Sequence, residues 1–134
     1  MKYHKTTAAA AGFAMLCATA FAASPAQARS HGGDTAVRAS GACTNGVGTW
    51  TLKAKTDDAG LEIEFEVDTN RVGQVWHVRI TDNRQLVLSR DATTKAPSGS
   101  FTVNPRTANR VGVKDTIRAH AFRGDQVCGG LVRI

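Results

Sequence analysis

Between Leu61 and Asp68 the chain reads Leu-Glu-Ile-Glu-Phe-Glu-Val-Asp, eight residues in which apolar and acidic side chains alternate without interruption. Successive side chains of an extended strand point to opposite faces, so Leu61, Ile63, Phe65 and Val67 share one face while Glu62, Glu64, Glu66 and Asp68 share the other. Wound as a helix, the same residues would scatter carboxylates around the whole circumference. The segment is therefore a strand, and any fold that contains it must supply a second layer against its apolar side.

The preceding residues complete a hairpin. Thr49 to Lys55 alternates Trp50, Leu52 and Ala54 against Thr51, Lys53 and Lys55, and Asp57-Asp58-Ala59-Gly60 supplies the turn. With Thr56 facing Leu61, antiparallel counting sets Lys55 against Glu62, Lys53 against Glu64 and Leu52 against Phe65. Opposite charges meet on the wet face and apolar groups on the other. An exposed ion pair contributes at most ~1 kcal/mol, so this ladder specifies register more than it stabilises.

Similar segments follow. Gln74 to Asp82 alternates Trp76, Val78 and Ile80 against His77, Arg79 and Thr81, with a turn at Asp82-Asn83. Gln85 to Arg90 precedes a polar loop, Asp91 to Ser98; Gly99 to Asn104 carries Phe101 and Val103; a second polar loop, Arg106 to Gly112, leads into Asp115 to Arg123 and then Gln126 to Ile134. Gly124-Asp125 suits a two-residue type II′ hairpin turn, which sets Arg123 against Gln126, Ala121 against Cys128 and Ile117 against Val132. That register leaves Phe122 beside Val127 on the opposite face, as an exposed apolar patch or as the sign of a bulge. No stretch has the period of a three-turn helix.

Seven such strands, with Trp76 in the third, predict an all-β domain, a seven-stranded antiparallel Ig-like or fibronectin-III-like β-sandwich with one disulfide. A simple meander is the competing order. In the meander, the Leu61 strand pairs with the Trp76 strand; in the sandwich, the two sit in opposite sheets and meet through the core.

The N-terminus reads as an export signal. A basic start, Met1 to Lys5, leads into an Ala-rich apolar run from Ala8 to Ala23, broken by Ser24-Pro25, and Ala26-Gln27-Ala28 has the small-x-small pattern of a cleavage site. The run is shorter than the ~20 residues of a spanning helix, and Leu16 before Cys17 does not suit lipoprotein processing. Residues 1–28 are thus expected to be a signal peptide, residues 29–42 a flexible arm and residues 43–134 the folded domain of a secreted, extracellular protein without a membrane anchor. Cleavage removes Lys2 and Lys5, leaving 15 basic side chains against 11 acidic ones and a net charge of +4 in place of +6. The basic residues are spread along the chain, which argues against a nucleic-acid footprint. Cys43 and Cys128 remain and, in an exported chain, read as one disulfide; a two-thiolate metal site lacks a second pair of ligands.

Motifs for chemistry are sparse. Alternate carboxylates of Leu61 to Asp68 lie about 6.5–7 Å apart along a line, which does not wrap an ion. His77 and His120 fall mid-strand on outward faces and His31 lies in the arm, while neither G-x-S-x-G nor H-E-x-x-H occurs. Gly46-Val47-Gly48 lacks the third glycine and following helix of a nucleotide loop. Arg123-Gly124-Asp125 matches an adhesion tripeptide at a hairpin tip, but the turn alone already asks for Gly-Asp.

From about Cys43 onward the chain resembles small secreted Ig-like or fibronectin-III-like proteins of actinobacteria, through Leu61 to Asp68, Gly73-Gln74-Val75-Trp76, Pro97 to Val103, Asp115 to Ala119 and Cys128. It lacks the inter-sheet disulfide pattern of antibody domains and any tyrosine after the signal. The resemblance implies fold and export and carries over no catalytic residue and no cofactor. The expectation is a monomeric, non-enzymatic extracellular binding module for a protein or glycan, using the two polar loops or the Phe122/Val127 patch. A secreted enzyme inhibitor or small hydrolase accessory protein is the alternative.

Overall fold

A computed structural model describes residues 35–57, 60–110 and 112–134. The expected signal peptide and residues 29–34 of the expected arm lie outside the described residues. Within them are β1 (Ala36–Ala42), β2 (Thr49–Asp57), β3 (Gly60–Asp68), β4 (Val75–Asp82), β5 (Gln85–Thr93), β6 (Ser100–Val103), β7 (Arg106–Thr107), β8 (Thr116–Arg123) and β9 (Gln126–Arg133). They form two antiparallel sheets. One has the order β1-β2-β3-β6, with β7 also on β3, and the other the order β5-β4-β8-β9. β3 and β4 therefore lie in different sheets, as the sandwich requires and the meander does not.

The apolar faces of the two sheets meet in the core. Leu52, Ile63, Phe65 and Val67 from the first sheet and Trp76, Val78, Ile80, Ile117, Ala119 and Ala121 from the second are fully buried. Both local hairpins have the register counted from sequence. Lys55 faces Glu62, Lys53 faces Glu64 and Leu52 faces Phe65; Ala121 faces Cys128 and Phe122 faces Val127. Gly124, at φ 60°, leads the β8–β9 turn as a type II′ turn asks. The bulge lies elsewhere, in the β4–β5 pairing between Ile80 and Thr81.

Two strands exceed the expected seven. Ala36–Ala42, assigned from sequence to a flexible arm, is an edge strand paired along its length with β2. Its small residues mask the alternation, yet backbone hydrogen bonds need no bulky side chain, and Val37 and Ala39 still pack on the core. β7 arises where Glu62 pairs with Arg106 and Leu61 with Thr107, inside the segment expected to be a loop.

One side of the sandwich is stitched shut. The half-buried indole of Trp50 lies against Gly41 of β1, where a Cβ would come 3.1 Å from the ring, and against Gly130 of β9, where a Cβ would overlap it. Beside it Cys43, just past β1, is bonded to Cys128 of β9. The disulfide thus ties the edge of one sheet to the edge of the other. At the opposite side, β5 and β6 leave an open cleft of about 520 Å³, lined in part by Arg90, Lys95 and Phe101.

Candidate binding face

The outer face of the β5-β4-β8-β9 sheet gathers an unusual set of side chains. Cross-strand partners share a face, so the register defines its rows. Asp91, His77, Phe122 and Val127 form one row, and Ser89, Arg79, His120 and Gly129 the next. Thr81, Arg118 and Leu131 follow, then Thr116 and Arg133. Arg79, Arg118 and Arg133 therefore fall on a diagonal across three strands, each one row below the last.

A fourth guanidinium joins from the β4–β5 turn. Asn83 and Arg84 both have positive φ, 47° and 73°, the type I′ pattern usually met with glycine second. The turn is anchored. The Asn83 amide donates to the buried Asp115 carboxylate at 2.9 Å and its carbonyl accepts the Thr116 N–H at 3.0 Å. A non-glycine residue in the left-handed region costs roughly 1–2 kcal/mol, so holding Arg84 there is strain kept by the surrounding hydrogen bonds. Arg84 and Arg118 line two adjoining hollows, one of about 270 Å³ with Thr116 and Arg133, the other of about 260 Å³ with Arg79, Thr81, His120 and Phe122.

Among the described residues, no carboxylate comes within ion-pair distance of Arg79, Arg84, Arg118 or Arg133. Burial, and secondarily the charge of Arg118, lowers the proton affinity of His120 below the ordinary histidine range. Its ring stacks on Phe122 with centroids 5.9 Å apart. Phe122 is 40% exposed and Val127 half-buried, so the patch expected from sequence forms the apolar end of the arginine-lined surface. Near the same sheet's other end, burial and then the neighbouring Asp115 raise the pKa of Asp82 above the ordinary carboxylate range.

His77 belongs to a relay. Its Nδ1 meets Asp91 Oδ1 at 2.9 Å and its Nε2 meets Ser89 Oγ at 3.2 Å, the connectivity of a serine–histidine–aspartate triad. Acyl transfer also needs donors aimed at a developing oxyanion and a site that excludes water. Here the His77 and Asp91 side chains are 52% and 67% exposed, and Ser89 lines none of the hollows described above or the cleft between β5 and β6. The contacts hold the imidazole on β4 at the position paired with Phe122.

The remaining expected sites are dispersed. Arg123-Gly124-Asp125 sits at the exposed tip of the β8–β9 hairpin. The expected loop Asp91 to Ser98 is part strand, since Asp91 to Thr93 belong to β5, and Thr94 is buried, its hydroxyl donating to the Arg71 carbonyl at 2.6 Å. The acidic row of β3 is flanked by Lys53 and Lys55 on one side and by Arg106 of β7, which contacts Asp57 and lies 3.8 Å from Glu62. No group of three or more His, Cys, Asp or Glu side chains among the described residues is placed to hold a metal, and no described helix is long and apolar enough to cross a membrane. Sequence reasoning missed the arginines as a set. Their outward phase was readable strand by strand, but their assembly depends on β4 lying beside β8. No family model, curated protein or solved structure matches the chain.

Proposed function

We propose that this chain is a secreted, monomeric, non-enzymatic binding module of the Ig-like or fibronectin-III-like type, recognising an extracellular protein or glycan through the outer face of the β5-β4-β8-β9 sheet. The placement of β3 and β4 in opposite antiparallel sheets supports that topology over a meander, with β1 added at an edge and β7 on β3. The disulfide is compatible with an extracellular location. The observation that carries the binding reading is the diagonal of arginines beside a half-exposed phenylalanine, which gathers charge of one sign and an exposed ring along adjoining hollows of one sheet face.

The inhibitor reading has one observation of its own. The tip Lys95 to Ser98 is exposed while its base is pinned, with Lys95 N–H donating to Ser100 and Gly99 N–H to the Lys95 carbonyl, both at 2.8 Å. Such a preorganised loop suits insertion into an enzyme cleft.

Capture from culture filtrate and envelope fragments tests both, with wild type, an Arg118→Glu/Phe122→Ala variant and a Lys95→Ala/Ser98→Ala variant immobilised in parallel. The binding-face reading expects capture to be lost only with the first variant. Loss only with the loop variant, on a captured protease or hydrolase, would replace it by inhibition. Ester hydrolysis that disappears with Ser89→Ala would overturn the non-enzymatic reading.

A further inference from the structure

We propose that the arginine face binds an acidic polysaccharide, with guanidinium groups pairing the carboxylates or sulfates of one linear chain and a sugar ring resting against Phe122. The proposal rests on the binding-face reading above and names its ligand.

Three features of the face converge. Arg79, Arg118 and Arg133 step diagonally across β4, β8 and β9, and Arg84 is fixed alongside them. Diagonal neighbours on a sheet are roughly 7–8 Å apart, so the charges form a spaced row that fits a polymer with repeated anionic groups better than one small anion. The two hollows share Arg84 and Arg118 and so make one shallow track, from His120 and Phe122 at one end to Thr116 and Arg133 at the other. A track of this kind accommodates a chain lying along the surface. The third feature is donor chemistry. Guanidinium forks match carboxylate and sulfate oxygens in paired hydrogen bonds, and the Thr81 and Thr116 hydroxyls line the same hollows, where they can meet sugar hydroxyls.

Other polyanions fit less well. Sequence-tolerant binding of single-stranded nucleic acid uses successive aromatic platforms for successive bases, whereas the rings of this track, Phe122 and His120, sit together at one end of it. A protein interface wants an apolar anchor at its centre; here Arg118 occupies the centre of the track, Leu86 and Leu131 of its row line neither hollow, and Phe122 is the apolar residue at one end. Arg84 adds a separate argument. A glycine would relieve its backbone, yet the position presents a cation to the middle of the track.

The test measures binding of the folded protein to polygalacturonate, dextran sulfate, neutral dextran and single-stranded oligodeoxythymidylate near physiological ionic strength, where nonspecific attraction is screened. Arg79→Gln/Arg118→Gln/Arg133→Gln is compared with Lys53→Gln/Lys55→Gln on the opposite face, and circular dichroism checks that each variant is folded. Binding to either acidic polysaccharide, weakened about tenfold or more by the arginine changes and less than about twofold by the lysine changes, supports the proposal. Which polymer binds identifies the anionic group. Phe122→Ala should weaken binding a further several-fold. Equal losses from both sets of variants, or tighter binding of the oligonucleotide, would overturn it. If neither polysaccharide binds while Arg118→Glu/Phe122→Ala still abolishes filtrate capture, the ligand assignment falls and the binding face stands. If that capture survives the face variant, the binding face itself falls.

Discussion

The two outer faces of this sandwich both carry charged residues and treat them in opposite ways. On the β1-β2-β3-β6 sheet, Lys53 and Lys55 stand across from Glu64 and Glu62, and Arg106 reaches Asp57 and Glu62 from the far side. Opposite charges there face one another within the fold. On the β5-β4-β8-β9 sheet, four arginines share a face on which Asp91, the one carboxylate in its cross-strand rows, is taken by His77. The first arrangement specifies strand register; the second leaves attraction unused and available to something outside the molecule.

Both faces rest on one core, and the largest expected effect tests that separation of inside from outside. Phe65→Ala should cost about 3–5 kcal/mol in urea unfolding, whereas Glu64→Gln, one residue away on the wet face, should cost within about 0.5 kcal/mol. Equal small losses would contradict the assignment of faces. Replacing both Cys43 and Cys128 by alanine removes the tie between the sheets and should cost on the order of 4 kcal/mol for a loop of this length, less if the denatured chain keeps structure.

Charge reversal addresses the comparison directly. Lys53→Glu/Lys55→Glu sets like charges across β2 and β3 and should destabilise by about 1–2 kcal/mol, while Arg118→Glu/Arg133→Glu should change stability by no more than about 0.5 kcal/mol. Similar thermal shifts for the two pairs would erase the distinction. Arg84→Gly sharpens it further. Relief of the left-handed backbone should raise stability by about 1 kcal/mol, while removal of the guanidinium should weaken the proposed polysaccharide binding. Opposite signs in the two measurements would mark a position held for function at the expense of stability.

The smallest expected effect is on pH dependence. His120 binds its proton less readily in the fold than in the unfolded chain. As pH falls through the ordinary histidine range, the unfolded state is therefore protonated first and stability declines. His120→Gln should flatten that slope. Asp82 acts with the other sign. Its folded pKa is raised, so the fold keeps a proton that the unfolded chain has released, and stability declines as pH rises from the ordinary carboxylate range through the folded value. Asp82→Asn should remove that decline. Unfolding midpoints measured across pH 3–8 would separate the two, and a slope unchanged by either substitution would refute the corresponding assignment.

What was legible in the chain follows from distance along it. The hairpins Thr49 to Asp68 and Asp115 to Ile134 were readable with their registers, because a short turn and a period of two leave few ways to bury Leu52, Ile63 and Phe65, or Ile117 and Val132, on one side. The opposition of Lys53 to Glu64, the meeting of Phe122 and Val127 and the pairing of Cys43 with Cys128 required nothing beyond counting and the expectation that two cysteines of an exported chain pair. Less was legible where residues are small. Ala36 to Ala42 carries too little apolar contrast to announce a strand, and its role emerges only when β2 needs a neighbour and Trp50 needs the space above Gly41.

The candidate binding face was least legible. Arg79, Arg118 and Arg133 lie on three strands, and β4 is joined to β8 across more than thirty residues of intervening chain. Alternation dictates which way each arginine points, since that is a local property of an extended backbone. Their alignment depends on which strands become neighbours and in what register. That choice belongs to the burial of the whole core, in which Trp76, Val78 and Ile80 must meet Ile117, Ala119 and Ala121 within one sheet before the arginines on its other side can form a row.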